Sequence, residues 1–233
     1  MNAVIIGGSG GIGKAFVDYL AATGKYDICA TFNHHPPDDT DSARWFQLDV
    51  TDEQQVAEFC MQLGEVDLCI NAVGMLHDDN NQPEKATRHI DSNYFLDCMR
   101  VNTMPTLLLA KSLAGHFRHK RPAVFATVSA RVGSIGENYL GGWYSYRASK
   151  AALNQVLKTL SIEWKRNLQN VSVAALHPGT TDTELSRPFH KNVPADQLFS
   201  PQQSVAYMMQ VIDRLQPKDS GKFWSFDGEE LPW

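Results

Sequence analysis

No apolar run in this sequence approaches the ~20 residues that a bilayer-spanning helix requires, so nothing in it reads as a membrane segment. It also lacks an excess of positive charge. Its 21 Lys and Arg stand against 26 Asp and Glu, a net charge of −5, which argues against a nucleic-acid binder or a protein held on anionic lipid. Cysteine is scarce: Cys29, Cys60, Cys69 and Cys98 include no Cys-x-x-Cys pair. They read as buried, reduced thiols rather than disulfides. The histidines form no His-Glu-x-x-His or mixed Cys/His spacing, so no metal is expected. A secretory leader would need a basic start followed by an apolar stretch, whereas Met1-Asn2 leads into Ala3-Val4-Ile5-Ile6 and then glycines. A cytoplasmic location is the expectation. Repeats, low-complexity tracts and linker-like shifts in composition are missing too, which leaves a single domain, 1–233, as the expected division.

What is there is a regular alternation. Short apolar runs at 3–6, 26–32, 45–48, 66–70, 123–128, 171–176 and 222–226 have the length of buried strands. Between them lie amphipathic stretches at 12–22, 52–63, near 94, 106–118, 143–168 and 204–215, with helical spacing such as Val56, Phe59 and Leu63. Residues 177–203 carry four prolines and read as a long loop. Such alternation predicts an α/β fold: a Rossmann-type, doubly wound parallel sheet of about seven strands with helices on both faces.

Two motifs carry chemistry. Gly7-Gly8-Ser9-Gly10-Gly11-Ile12-Gly13 sits between the first strand and the first helix. Glycines there let the backbone turn sharply and approach a phosphate, while the helix start presents free N–H groups and positive dipole. In the segment Tyr144-Ser145-Tyr146-Arg147-Ala148-Ser149-Lys150, the spacing of four puts Tyr146 and Lys150 on one helix face. A nearby ammonium favours tyrosinate and so lowers a phenol pKa from about 10. Such a phenol exchanges a proton with a carbonyl or alcohol oxygen.

Together these residues resemble the short-chain dehydrogenase/reductase family. Gly7, Gly11 and Gly13 are similar to its TGxxxGxG loop, with Ile6 in place of Thr, and Tyr146-Arg147-Ala148-Ser149-Lys150 to its YxASK signature. The resemblance runs over essentially the whole chain and implies further roles. Leu48-Asp49-Val50 stands where the family borders the adenine, and Asn71-Ala72-Val73-Gly74 where it forms the cofactor floor. Asn102 matches the Asn of its proton relay. His177-Pro178-Gly179-Thr180, with Thr181 and Thr183, matches the segment over the nicotinamide. Ser129 to Ile135 and Gly141 to Tyr146 are similar to a C-factor-like and carbonyl-reductase-like branch. The bland alternatives are that Asp49 caps the next helix, that Asn71 bonds its own backbone, and that Asn102 is a solvated helical side chain.

Two departures matter. Phe32 stands where NAD users of the family carry the acid that bonds the ribose 2′-OH, and Asp38 and Asp39 follow only after two prolines. The Arg typical of NADP enzymes is replaced by Asn33, which with His34 offers polar groups to a 2′-phosphate; NADP(H) is therefore expected over NAD(H). The family's strand also ends in two serines, the second of which bonds the substrate oxygen. This chain has Ser129-Ala130. Ser129 by a one-residue shift, Ser134 from the loop, or no serine at all are the three readings.

The resemblance implies an oxidoreductase with a small carbonyl or alcohol substrate. Tyr146 would be its acid/base, with Lys150, Asn102 and Ser129 around it. Gly7, Ser9, Gly11, Ile12, Gly13, Asn33, Asp49, Val50, Asn71 to Gly74, Pro178, Gly179, Thr181 and Thr183 would hold the cofactor, and residues 180–203, with Phe189, Pro194 and Phe199, would close over the substrate. A homodimer or homotetramer is implied. The alternative is a nucleotide-binding signalling protein of the C-factor type, for which the intact Tyr/Lys pair would be superfluous.

Overall fold

Strand β1 (Asn2–Ile6) shows how the short apolar runs fold. Val4 and Ile6 enter one core layer and Ala3 and Ile5 the other, so the strand is buried on both faces. The computed structural model describes residues 1–38 and 41–233. Beside β1 lie β2 (Asp27–Phe32) and then β3 (Arg44–Gln47); on its other side come β4 (Leu68–Asn71), β5 (Ala123–Val128) and β6 (Val171–His177). A two-stranded ribbon, β7 (Thr180–Thr181) with β8 (Leu198–Phe199), stands apart, and β9 (Lys222–Ser225) pairs with β6. All seven of the main strands run parallel. The sheet has eight strands rather than about seven, because β10 (Glu230–Leu231) turns back antiparallel on β9 through Gly228, whose φ is +86°. A two-residue strand at an edge gives no periodic signal in sequence.

Helices α1 (Gly11–Thr23) and α6 (Pro201–Ile212) cover one face through Phe16, Leu20, Val205 and Met208. The other face is covered by α2 (Glu53–Cys60), α4 (Met104–Leu113) and α5 (Tyr144–Asn167), whose Phe59, Leu109, Leu153 and Leu157 fill the second core layer. Helix α3 (Ser92–Asn102) packs on α5. No described helix is long and apolar enough to cross a membrane.

Caps set several boundaries. Asp52, and not Asp49, caps α2, accepting from the N–H groups of Gln54 and Gln55. A capping box between Ser200 and Gln203, with Pro201 in the first turn, starts α6 three residues before the apolar pattern begins. Helix α5 has no such local cap: Trp143 precedes it with φ +53°. The strand order reverses at β1, with β2 on one side and β4 on the other, so a crevice opens beyond their C-terminal ends.

Candidate active site

The glycine turn fills the mouth of that crevice. Gly7 has φ +74°, and its carbonyl accepts from Gly10 N–H at 3.1 Å. A Cβ on Gly13 would lie 2.0 Å from the Gly7 carbonyl oxygen. The strand-to-helix turn is thus closed to any side chain at Gly13, and the start of α1 faces the crevice. A Cβ on Gly11 would meet the Thr183 methyl at 2.7 Å, so the segment after β6 lies directly over the turn. Sequence gave no hint that Trp45 of β3 packs beneath Gly8.

The floor is set by two buried asparagines. Asn71 accepts from Val73 N–H at 3.1 Å and donates to the Thr106 hydroxyl at 3.2 Å, fixing the turn through Ala72, Val73 and Gly74. Asn102 closes α3 with its side chain inward. Its Oδ1 accepts from Met75 N–H at 2.7 Å, and its Nδ2 donates to Met75 O and to the Ser149 hydroxyl, each at 2.9 Å. Thr103 adds a hydroxyl bond to Ser149 O at 2.8 Å. The residue before Lys150 is therefore pinned to the end of α3. A Cβ on Gly74 would lie 3.4 Å from Lys150 Nζ and 3.5 Å from Asn102 Oδ1, so floor, relay candidate and lysine meet there.

Tyr146 and Lys150 are 7% and 2% exposed. Lys150 Nζ donates to Val128 O at 3.1 Å and lies 5.8 Å from the Tyr146 ring centroid. The Tyr146 phenol departs in the opposite direction from the expectation that the ammonium would lower its pKa. Burial dominates, with a smaller contribution from Cys98, and holds Tyr146 well above its ordinary value. Burial also lowers Lys150 to about 8, against a small opposing effect of Cys98.

The pair opens onto a cleft of about 1100 Å³. Ser9, Gly11 and Ile12 line it from the glycine turn, Ala72, Val73 and Gly74 from the floor, and Pro178, Gly179, Thr181 and Thr183 from above. Gly7, Gly13, Asn71 and Asn102 stand behind this surface and shape it. Asn33, Asp49 and Val50 lie outside it, on the β2 and β3 side. There Gln47 Nε2 donates to Asn33 O at 3.0 Å, and Asp49 accepts from the Thr51 N–H and hydroxyl. Phe32 ends β2, His34 and His35 are exposed, and Asp39 lies outside the described residues.

Ser129, 2% exposed, lines the cleft, but its hydroxyl donates to Asn154 Oδ1 at 2.7 Å. Ser134 is turned into the following loop, where its Oγ accepts from Glu137 N–H at 3.2 Å. Ala130 lines the cleft and has no hydroxyl to offer. His177 also lines it; its Nδ1 accepts from Arg131 N–H at 3.3 Å, and burial followed by the Arg131 charge lowers it to about 4.

The substrate side is aromatic. The Trp143 ring stands 6.2 Å from Tyr146 and 5.0 Å from Phe189, centroid to centroid, and Leu76, Val132 and Leu140 continue the wall. Of the three loop residues singled out in sequence, Phe189 reaches the cleft. Phe199 instead packs on Phe226 at 4.8 Å, and Pro194 lies outside the lining. The loop is knotted on Ser186, which bonds Thr181 O and contacts His190 Nε2 at 2.8 Å. Trp143 carried no signal in sequence, because its place in the wall follows from its left-handed backbone.

A glycine cradle too tight for any Cβ, a helix start facing the cleft and a buried amide-fixed floor fit a dinucleotide. Comparison with known proteins agrees. The family described as short chain dehydrogenase matches residues 1–194. The 1-hydroxy-2-glutathionyl-2-methyl-3-butene dehydrogenase of a Rhodococcus species is 32% identical over 187 residues, covering 80% of this chain and 78% of the relative. The C-signal of Myxococcus xanthus is 32% identical over 133 residues, 57% of this chain and 75% of the relative. Among solved structures, the NADPH-bound carbonyl reductase from chicken fatty liver superposes with a TM-score of 0.86 at 22% identity, over 100% of this chain and 94% of that one, a likeness of fold. The chain belongs to the short-chain dehydrogenase family and is a nicotinamide-dependent oxidoreductase acting between CH–OH and C=O.

Proposed function

We propose that residues 1–233 act as one dinucleotide-binding oxidoreductase domain that reduces a hydrophobic carbonyl compound with NADPH, Tyr146 giving the proton. The observation that carries this reading is the buried Tyr146–Lys150 pair, set on consecutive turns of α5 in the same cleft as the glycine turn. Burial keeps the phenol protonated at neutral pH, which is the form that donates to an oxygen accepting charge.

The bound dinucleotide supplies the hydride. Gly7, Ser9, Gly11, Ile12 and Gly13 seat its pyrophosphate against the start of α1, and Asn33, Asp49 and Val50 face its adenosine end. Asn71 holds Ala72, Val73 and Gly74 flat beneath it, and Pro178, Gly179, Thr181 and Thr183 close above. Lys150 serves a ribose hydroxyl and Tyr146, and Asn102 fixes the lysine through Ser149 and Met75. NADPH is preferred over NADH because Phe32 ends β2 where an acid would repel a 2′-phosphate.

The serine reading that fits best is the third, with no serine donor: the Ser129 proton is committed to Asn154, and Ser134 caps a turn. Leu76, Val132, Trp143 and Phe189 make the wall apolar and aromatic, which selects an apolar carbonyl. Exposed Leu96, Met104, Leu107 and Ile162 on α3, α4 and α5 give two copies an apolar face on which to pair, and the reaction belongs in the cytoplasm. A signalling protein of the C-signal kind would have no use for a buried acid/base pair.

The test is purified protein with NADPH and a panel of aromatic and aliphatic aldehydes, ketones and quinones, followed at the reduced-nicotinamide absorbance. Turnover is expected with apolar members and should fall at least 10²-fold in Tyr146→Phe, with NADPH affinity within about threefold of wild type. Turnover by Tyr146→Phe at more than a few per cent of the wild-type rate would remove Tyr146 from the acid role.

A further inference from the structure

Helix α5 carries both Tyr146 and Lys150, yet its N-cap residue makes no side-chain bond to the first turn; the local side-chain tie is Arg147 Nε, which donates back to Gly142 O at 3.1 Å. Trp143 offers no side-chain cap and has φ +53°, a conformation that side chains other than glycine rarely adopt. The holding group comes from 61 residues earlier in the chain. Glu84, in the irregular stretch between β4 and α3, is 3% exposed. Its Oε2 accepts from Ser145 N–H at 3.1 Å, its Oε1 accepts from the Ser145 hydroxyl, and its backbone carbonyl accepts from Trp143 N–H. The carboxylate makes no ion pair with another side chain among the described residues; the start of a 24-residue helix and one hydroxyl are its partners.

We propose that Glu84 is a positioning residue that sets the catalytic tyrosine. It binds Trp143 and Ser145, the residues on either side of Tyr144, and Tyr146 follows directly. It therefore fixes the left-handed turn that aims the indole at the cleft and the first turn from which the phenol projects. The segment bearing Glu84 is itself tied to the site. Met75 is bonded to Asn102, and Leu76 O accepts from the Tyr94 hydroxyl at 2.6 Å. One stretch of chain, 74–84, thus runs from the cofactor floor to the start of the catalytic helix. A misplacement of about 1 Å at a reacting group costs roughly 10²-fold in rate. Releasing this clasp therefore slows the chemical step more than it weakens cofactor binding, since the glycine turn lies on α1.

The inference rests on Tyr146 being the acid, and the experiment separates the two claims. Amide hydrogen exchange is measured on the free protein, with kcat, KM and NADPH affinity, for wild type, Glu84→Ala, Glu84→Gln and Glu84→Asp. Glu84→Ala removes the acceptor of the Ser145 N–H but keeps the backbone carbonyl that holds Trp143, so it should lose at least tenfold of the protection at the Ser145 amide, with the rest of α5 unchanged. Its kcat should fall 10- to 100-fold, NADPH affinity should stay within about threefold, and the deuteride isotope effect should rise. Glu84→Gln keeps one acceptor and turns the other group into a donor to the Ser145 oxygen, so kcat should return to within about fivefold of wild type. Glu84→Asp keeps the charge but withdraws it by a methylene; it should behave like Ala and serves in its place where Ala does not fold. Unchanged exchange at 143–146 with kcat within twofold overturns the proposal, and so does a Gln variant as slow as Ala. If Tyr146→Phe proves active, the acid assignment fails while the exchange result still decides the clasp.

Discussion

Gly13→Ala puts the tightest contact of the site to the test. The added methyl would sit 2.0 Å from the Gly7 oxygen, 2.8 Å from its carbonyl carbon and 3.0 Å from the Gly8 Cα, all backbone atoms that no rotamer change can move away. Ordinary contact begins at 3.4 Å, so the turn between β1 and α1 must open by about 1.4 Å. Forcing a methylene-sized group into a packed site costs ~1–3 kcal/mol. Ala for Gly in a helix returns up to about 1 kcal/mol through propensity, so the net loss of stability is about 0–2 kcal/mol. The cost falls on the geometry that receives the pyrophosphate. At about 1.4 kcal/mol per tenfold, NADPH affinity should drop roughly 10- to 100-fold. Gly64→Ala, where nothing lies within 4 Å, is the matched control and should bind as wild type. Cofactor fluorescence titration with thermal melts of all three proteins reads both quantities. An alanine variant that melts like wild type and binds NADPH within twofold of it would refute the cradle argument.

Other outcomes follow from the same geometry. Ser129→Ala leaves Asn154 Oδ1 buried without its donor beside an Nδ2 already unpaired, so it should cost about 1–3 kcal/mol of stability while kcat stays within a few-fold; a 10²-fold loss of kcat would restore Ser129 as the donor. Ala130→Ser supplies a hydroxyl at the cleft-lining position and should raise kcat, by up to roughly 10²-fold if it reaches the reacting oxygen; an unchanged single-turnover rate counts against an open donor position. Phe32→Asp should shift preference from NADPH toward NADH, and paired titrations showing no shift would place the 2′-phosphate elsewhere. For Lys150, lowered to about 8 from 10.5, the charged form predominates in the folded protein only below about pH 8, so kcat/KM for reduction should fall as pH rises through 8. The sign for stability is opposite: between about pH 8 and 10.5 the unfolded chain binds the extra proton, so this group's contribution rises with pH there. A rate profile flat from pH 7 to 9 contradicts the assignment.

The alternation of apolar runs and amphipathic stretches was enough to specify the parallel sheet, because strands buried on both faces and helices buried on one leave different periods in the chain. Gly13 and the spacing of Tyr146 and Lys150 were legible for a similar reason: a backbone contact that admits no Cβ and a one-turn separation are local constraints. Partners brought together across the fold were not legible. Glu84 meets Ser145 across 61 residues, and Ser129 turns its proton to Asn154 because β5 packs on the second turn of α5 after Tyr146. The phenol pKa went the other way from its sequence-based expectation for the same reason. Spacing reports that an ammonium is near, but only the packed structure fixes how much water both groups lose, and here desolvation, with a smaller contribution from Cys98, sets the direction for the phenol.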